Sequence, residues 1–225
     1  AQGIEKFNVN ATGTASGSLT TGAVITLAST TLKDVTITGT AASVLSVDLA
    51  GATATVAGSV TGSDAANTVV LAAAGTTDII GVDLGLGNDV LSIASVGATY
   101  TLAGGDGTDT LSSTVAITAT TGANISGFEV VSSAGISIAL PTATNTIGTA
   151  IFTGTGGTIA GLATGGTVSQ AATGTNTVSN TTGWTATTDN LNVAVGSATS
   201  TGAVTQALTA TGIETATITN TQIST

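Results

Sequence analysis

The segment Gly104-Gly105-Asp106-Gly107-Thr108-Asp109-Thr110-Leu111-Ser112 constrains this chain more than any other. It fits the nonapeptide G-G-x-G-x-D-x-U-x, with U a bulky apolar residue, at every fixed position. Such a nonapeptide makes a cation-binding turn and then a short strand of a parallel coil. The glycines accept left-handed backbone and bring carbonyl oxygens close together. The Asp adds a hard carboxylate oxygen of the kind calcium prefers, and the apolar residue points into the core. A second copy, Leu84-Gly85-Leu86-Gly87-Asn88-Asp89-Val90-Leu91-Ser92, departs only at its first position. A third, degraded copy is Gly62-Ser63-Asp64-Ala65-Ala66-Asn67-Thr68-Val69-Val70, where Asn67 takes the Asp place and Ala65 a Gly place.

The sixth-position residues are Asn67, Asp89 and Asp109, spaced by 22 and 20. Two nonapeptides complete one coil of a β-roll, so a spacing of about 18 returns the chain to the same edge. Rungs then stack about 4.8 Å apart. Asp89 and Asp109 are expected one rung apart, sharing a calcium ion. Asp106 and Asn67 follow as candidate ligands, with Asp64 in the same block. The carbonyls of Gly85, Gly87, Gly105 and Gly107 would complete the shell. The competing reading is a purely structural set of Gly-Asp turns, because both residues are ordinary turn formers.

Composition points the same way. The chain of 225 residues has 41% hydrophobic residues but only 2% aromatics, so its core must be Val, Ile, Leu and Ala. Thr, Val and Ile suit a pleated surface, whereas 31 glycines and many β-branched residues disfavour long helices. With charged residues at 6%, the chain does not read as disordered. The expected fold is all-β, an elongated parallel β-solenoid or β-roll of short strands with Gly/Asp calcium turns.

Net charge is −10, with two lysines, Lys6 and Lys33, and no arginine. So few cations cannot neutralise a nucleic-acid backbone, and anionic membranes are disfavoured for the same reason. Calcium is the natural counter-ion. The absence of cysteine is compatible with an extracellular site, since disulfides are only one option there. No charged leader with an apolar run opens the sequence, and no apolar stretch is long enough for a transmembrane helix. One Trp and one Tyr cannot supply the aromatic girdles of a membrane barrel. The sequence reads as a piece of a longer chain.

Alternating runs at Val35–Thr38, Leu45–Leu49, Thr53–Val56, Val115–Thr118, Ile136–Ile138 and Leu191–Val195 predict short strands. Pro141 is expected to end the strand before it. Six of the nine aspartates, Asp64, Asp78, Asp83, Asp89, Asp106 and Asp109, fall between 64 and 109, and Asp78 and Asp83 flank the block. The stretch from Phe152 to Thr158 is glycine-rich but lacks the lysine of a phosphate loop, so it reads as turns.

The three glutamates all follow Gly-Ile or Gly-Phe and precede strand-like sequence, at Glu5, Glu129 and Glu214. They are either calcium ligands beside a rung or turn residues bonding local N–H groups, the second being favoured. Asp109-Thr110-Leu111 before Glu129, and Asp189-Asn190-Leu191 before Glu214, make a D-x-L…G-Φ-E unit (Φ being Ile or Phe) that occurs twice. Four segments are expected. Residues 1–60 form a β segment opening with a Gly-Ile-Glu strand, and 61–131 the calcium block. Residues 132–188 form a Thr/Gly-rich β segment, and 189–225 a second D-x-L…Gly-Ile-Glu module.

The Gly105-x-Gly107-x-Asp109-x-Leu111 turns, the Gly-Phe-Glu and Gly-Ile-Glu strands and the Ala/Thr/Gly/Val bulk resemble repeats-in-toxin proteins of type I secretion. Within that class the chain is most similar to calcium-dependent S-layer proteins of Gram-negative bacteria, Caulobacter-like in pattern. The nonapeptides cover about a fifth of the chain. The resemblance implies a secreted protein that assembles with copies of itself into a two-dimensional cell-surface lattice. It also implies anchoring to surface polysaccharide or lipopolysaccharide through regions not in this chain, with calcium rigidifying the β region.

An enzyme is disfavoured, since the chain has no His and no Cys and both lysines lie outside the Asp block. The stronger alternative is a module of a secreted calcium-dependent adhesin. That function needs a ligand site, and Tyr100 and Trp184, its candidates, read as packing residues.

Overall fold

The computed structural model describes residues 3–12, 25–72, 74–170, 174–179, 189–195 and 206–220. Among them there is no helix, and every strand pair with a defined register is parallel. The fold is therefore the all-β parallel solenoid that the alternation predicted. None of the described residues forms a helix long and apolar enough to cross a membrane. The chain forms two compact units. One comprises Ala1–Ser112 with Thr120–Phe128, the other Ser113–Ala119 with Glu129–Thr225.

In the first unit each coil contributes one strand to each of two sheets. One sheet stacks β1 (Lys6–Ala11), β3 (Asp34–Gly39), β5 (Gly58–Thr61), β7 (Ile80–Asp83), β9 (Tyr100–Ala103) and β11 (Ile125–Ser126) in that order. The other stacks β2 (Ile25–Ala28), β4 (Ser43–Asp48), β6 (Asn67–Leu71), β8 (Val90–Ile93) and β10 (Thr110–Ser113). Parallel in-register pairing puts like side chains above one another. Val35, Val60, Val82, Leu102 and Ile125 form one buried column, and Leu45, Val69 and Leu91 another. Each such side chain contributes roughly 1.5–3 kcal/mol by leaving water. Threonines and serines alternate outward, which is why the strands read as period two.

The second unit follows the same rule. β12 (Val130–Ser133), β14 (Ile147–Phe152), β16 (Leu162–Gln170), β18 (Asn190–Val195) and β20 (Thr215–Asn220) form one stack. β13 (Ser137–Ala139), β15 (Thr158–Ala160), β17 (Gly174–Ser179) and β19 (Gln206–Thr209) form the other. Val131, Ala150, Val168 and Val193 make its central column. The register shifts between Ile147 and Thr149 against β16, where Gly165 takes a φ of +75°.

Three expectations are corrected. Thr53–Val56 is a turn, because Thr53 Oγ1 accepts the Val56 N–H at 3.0 Å and the Thr53 N–H bonds Val56 O at 2.8 Å. Val115–Thr118 makes only an isolated bridge, Ile117 to Ile138, because the Ser113 hydroxyl takes the Val115 N–H and donates back to Val115 O. The coil is also longer than a pure nonapeptide β-roll. Register matches Ser43 with Asn67, 24 residues apart, because only one edge of the coil carries Gly-Asp turns. Pro141 follows β13 as expected, and the glycines between Phe152 and Thr158 form the turn from β14 to β15. Tyr100 is fully buried, whereas Trp184 lies outside the described residues.

Candidate metal centre

The nonapeptide turns lie on one edge of the first unit. Residues 62–66 join β5 to β6, 84–89 join β7 to β8, and 104–109 join β9 to β10. Gly105 and Gly107 have φ of +107° and +152°, which β-carbon-bearing residues resist. They also stack directly on the turn before. A β-carbon on Gly105 would run into Gly85 O, and one on Gly107 into Gly87 O. Backbone bonds fix this stacking: Asp106 N–H to Gly85 O and Gly87 N–H to Asp106 O, both 3.0 Å. The side-chain oxygen of Asn88, Oδ1, accepts the Thr108 N–H at 2.9 Å.

Where each turn enters its strand, the sixth-position residues form a buried column. Ser43 pairs in register with Asn67, and Thr68 with Val90, so Asn67 lies over Asp89. Each side chain serves the coil before its own. Asn67 Oδ1 accepts the Ser43 hydroxyl at 2.9 Å, Asp89 Oδ1 the Asn67 N–H at 2.6 Å, and Asp109 Oδ1 the Asp89 N–H at 2.8 Å. Buried N–H groups need such partners, and a bond to a charged acceptor is worth roughly 1.5–3 kcal/mol.

The two kinds of sixth residue differ at their other atom. Asn67 Nδ2 donates to Ala65 O at 2.6 Å and Ser63 O at 3.2 Å, with Leu84 O and Asp89 Oδ1 both at 3.4 Å. Asp89 Oδ2 cannot donate, is fully buried and meets no hydrogen-bond donor among the described residues. Burial pushes the Asp89 carboxyl from an ordinary 3.8 up to about 6. The nearby Asp109 charge adds to the rise, and the Asn67 N–H opposes both. A buried carboxylate oxygen without a donor calls for a proton or a cation.

The residues at this edge fit calcium. All their donors are hard oxygens, and the chain holds no His or Cys that would favour zinc or copper. No group of three or more acidic side chains converges among the described residues. The shell would therefore draw on backbone carbonyls such as those of Gly85, Gly87, Gly105 and Gly107 as much as on Asp89 and Asp109.

The remaining aspartates stand apart. Asp64 and Asp106 are exposed, and Asp106 lies in register with Leu86, outside the column. Asp83 and Asp78 cap turns, accepting the Gly85 N–H at 3.2 Å and the Gly75 N–H at 2.7 Å. Of the acidic block, the structure brings Asp89 and Asp109 together under Asn67. Ser43 and Ser63 belong to the column too, and sequence reasoning missed them. Ser63 meets Asn67 within its own turn, four residues earlier, whereas Ser43, 24 residues away, meets it only once the coil length is known.

The glutamates follow a related logic. Thr164 Oγ1 donates to Asp189 Oδ1 at 2.8 Å, and Glu214 Oε2 accepts the Asp189 N–H at 2.9 Å. The second D-x-L…G-Φ-E unit is thus a carboxylate reaching back one coil, 25 residues away, rather than to a local N–H. Glu5 differs: its carboxylate pairs with Lys33 Nζ at 3.1 Å. What Glu5 and Glu129 share is backbone. The Glu5 carbonyl takes the Lys33 and Asp34 N–H groups, and the Glu129 carbonyl those of Gly148 and Thr149.

Comparison with protein-family models, curated proteins and solved structures returns no match to this chain.

Proposed function

We propose that this chain is a structural β-solenoid, exported from a bacterial cell, that folds fully with calcium and assembles with copies of itself into a cell-surface lattice. The observation that carries the reading is the buried Asp89–Asp109 pair. It stands on stacked glycine turns, with Asp89 Oδ2 facing no donor among the described residues. Where calcium is scarce, the two carboxylates repel each other. At the millimolar calcium outside cells, sites with Kd of about 10⁻⁴–10⁻³ M fill. One site at ten times its Kd adds roughly 1.4 kcal/mol.

Two further features favour a structural role. Both lysines are committed to ion pairs, Lys6 with Asp34 at 3.0 Å and Lys33 with Glu5 at 3.1 Å, so neither serves as a free base. The outermost described strands leave apolar surface open. Ile4, Phe7 and Ile25 are exposed beside β1 and β2 in the first unit, and Ile218 is exposed on β20 in the second. Open strand edges with apolar flanks are templates for pairing between copies.

The test is calcium titration into the chelator-stripped protein, followed by light scattering and electron microscopy. Ordered sheets or filaments that dissolve in chelator are expected. Calcium-induced folding that stops at a monomer would overturn the lattice and leave an adhesin module. No response at millimolar calcium would overturn the metal reading.

A further inference from the structure

Asn67 occupies the sixth position of the degraded turn, where the next two coils place Asp89 and Asp109. Its amide is divided between two tasks. Oδ1 faces the Ser43 hydroxyl at 2.9 Å and the Ser63 hydroxyl at 3.2 Å. Nδ2 is surrounded by oxygen: Ala65 O at 2.6 Å, Ser63 O at 3.2 Å, Leu84 O of the next coil at 3.4 Å and Asp89 Oδ1 at 3.4 Å. An amide has two hydrogens, so it cannot bond four acceptors well at once. Three carbonyls and a carboxylate converging on one buried donor is instead the oxygen set of a hard cation.

The same offsets recur one coil on. The residues four and two before Asp89 are Gly85 and Gly87, the counterparts of Ser63 and Ala65, and the counterpart of Leu84 is Gly104. There the atom matching Nδ2 is Asp89 Oδ2, which is buried and has no donor among the described residues. Ser63 and Ala65 also replace glycines that a close-packed cation turn would favour.

We infer that the Asn67 amide nitrogen takes over the cation's task in its own turn, donating to the carbonyls that an ion would otherwise gather, which makes that turn metal-independent and ends the row of calcium sites there. This rests on the calcium reading of Asp89 and Asp109. It predicts that Asn67→Asp opens one further site, while Asn67→Ala removes the donor without opening one.

The test counts calcium ions by native mass spectrometry and calorimetry on the full chelator-stripped chain, and follows melting in chelator and in calcium. Asn67→Asp is expected to bind one ion more than wild type, and Asn67→Ala no more than wild type. In chelator both melt lower, by roughly 5–10 °C. Calcium restores only the Asp variant. The reciprocal Asp89→Asn variant should bind one ion fewer and melt higher than wild type in chelator, and it serves even if Asn67→Asp does not fold. An Asn67→Asp variant with the wild-type ion count, or an Asp89→Asn variant that melts no higher in chelator, overturns the inference. Wild type without calcium beside Asn67→Asp with one ion supports the amide's part in its own turn, sinks the Asp89–Asp109 reading and overturns the claim that Asn67 ends a row of sites. No ion in either protein overturns both.

Discussion

The turns of the two units solve one problem with different chemistry. In the second unit the turns around β14 and β15 close with neutral groups that satisfy themselves, and carboxylates return only farther along, at Asp189 and Glu214. Asn176 Oδ1 accepts the Gly157 N–H at 2.9 Å, and its Nδ2 donates to Gly154 O at 3.2 Å. Ser133 Oγ accepts the Ile136 N–H and donates to Ile136 O. In the first unit Asp89 and Asp109 do the accepting, and a carboxylate has no proton with which to satisfy neighbouring carbonyls. A neutral ladder is complete in the bare chain. A buried charged ladder is complete only with a proton or a cation, so folding of that edge becomes conditional on its surroundings.

The strongest way to sharpen this contrast is to damage the second unit's core. Phe152 is fully buried, and Phe152→Ala should cost about 3–5 kcal/mol. Chemical denaturation should give the same loss with calcium and with chelator. A loss that depends on calcium would break the separation of the two chemistries.

Next is pH. The Asp89 pKa is raised from 3.8 to about 6 in the folded chain. The folded state therefore holds the extra proton between those values, and its contribution is fully present below about 4 and lost as pH rises through about 6. In metal-free protein this Asp89 contribution, at most roughly 3 kcal/mol, should be lost across that window. Asp89→Asn should flatten the dependence, and saturating calcium should offset the loss near neutral pH. Stability that rises over the same window in chelator would contradict the burial of Asp89.

A smaller effect is expected at Asn176. Removing its amide by Asn176→Ala should cost about 1–2 kcal/mol by thermal melting, and calcium should not repair it. The smallest belongs to Glu214, which is exposed although its carboxylate holds the Asp189 N–H. Glu214→Ala should cost about 1 kcal/mol or less, while Glu214→Gln, which keeps the acceptor, should leave melting unchanged. A large loss in the Gln variant would mean that the charge, not the hydrogen bond, matters there.

The solenoid was legible because its signals are local. Val35-Thr36-Ile37 and Leu45-Ser46-Val47 alternate, and the structure buries Val35, Ile37, Leu45 and Val47 while their partners face outward. Thr53–Val56 has the same alternation but becomes a turn, since a threonine hydroxyl competes for backbone N–H groups and propensity does not report that competition. The candidate ligands Asp89 and Asp109 were legible from the nonapeptide. That their carboxylates reach back to the preceding coil was not, because it depends on coil length. The coil spans 24 residues between Ser43 and Asn67 and 20 between Asp89 and Asp109, set by turns on the opposite edge that carry no motif. Asp64 and Asp106 looked equivalent to Asp89 and Asp109 in composition, but both are exposed, Asp106 in register with Leu86.

The most direct measurement is amide hydrogen exchange on the chelator-stripped chain, repeated at saturating calcium. Calcium should slow exchange across residues 84–113, most strongly at the Asp89 N–H and the Thr110 N–H bonded to Asp89 O, and leave 147–170 unchanged. Equal exchange in both conditions, or protection gained only in the second unit, would contradict a cation held by Asp89 and Asp109.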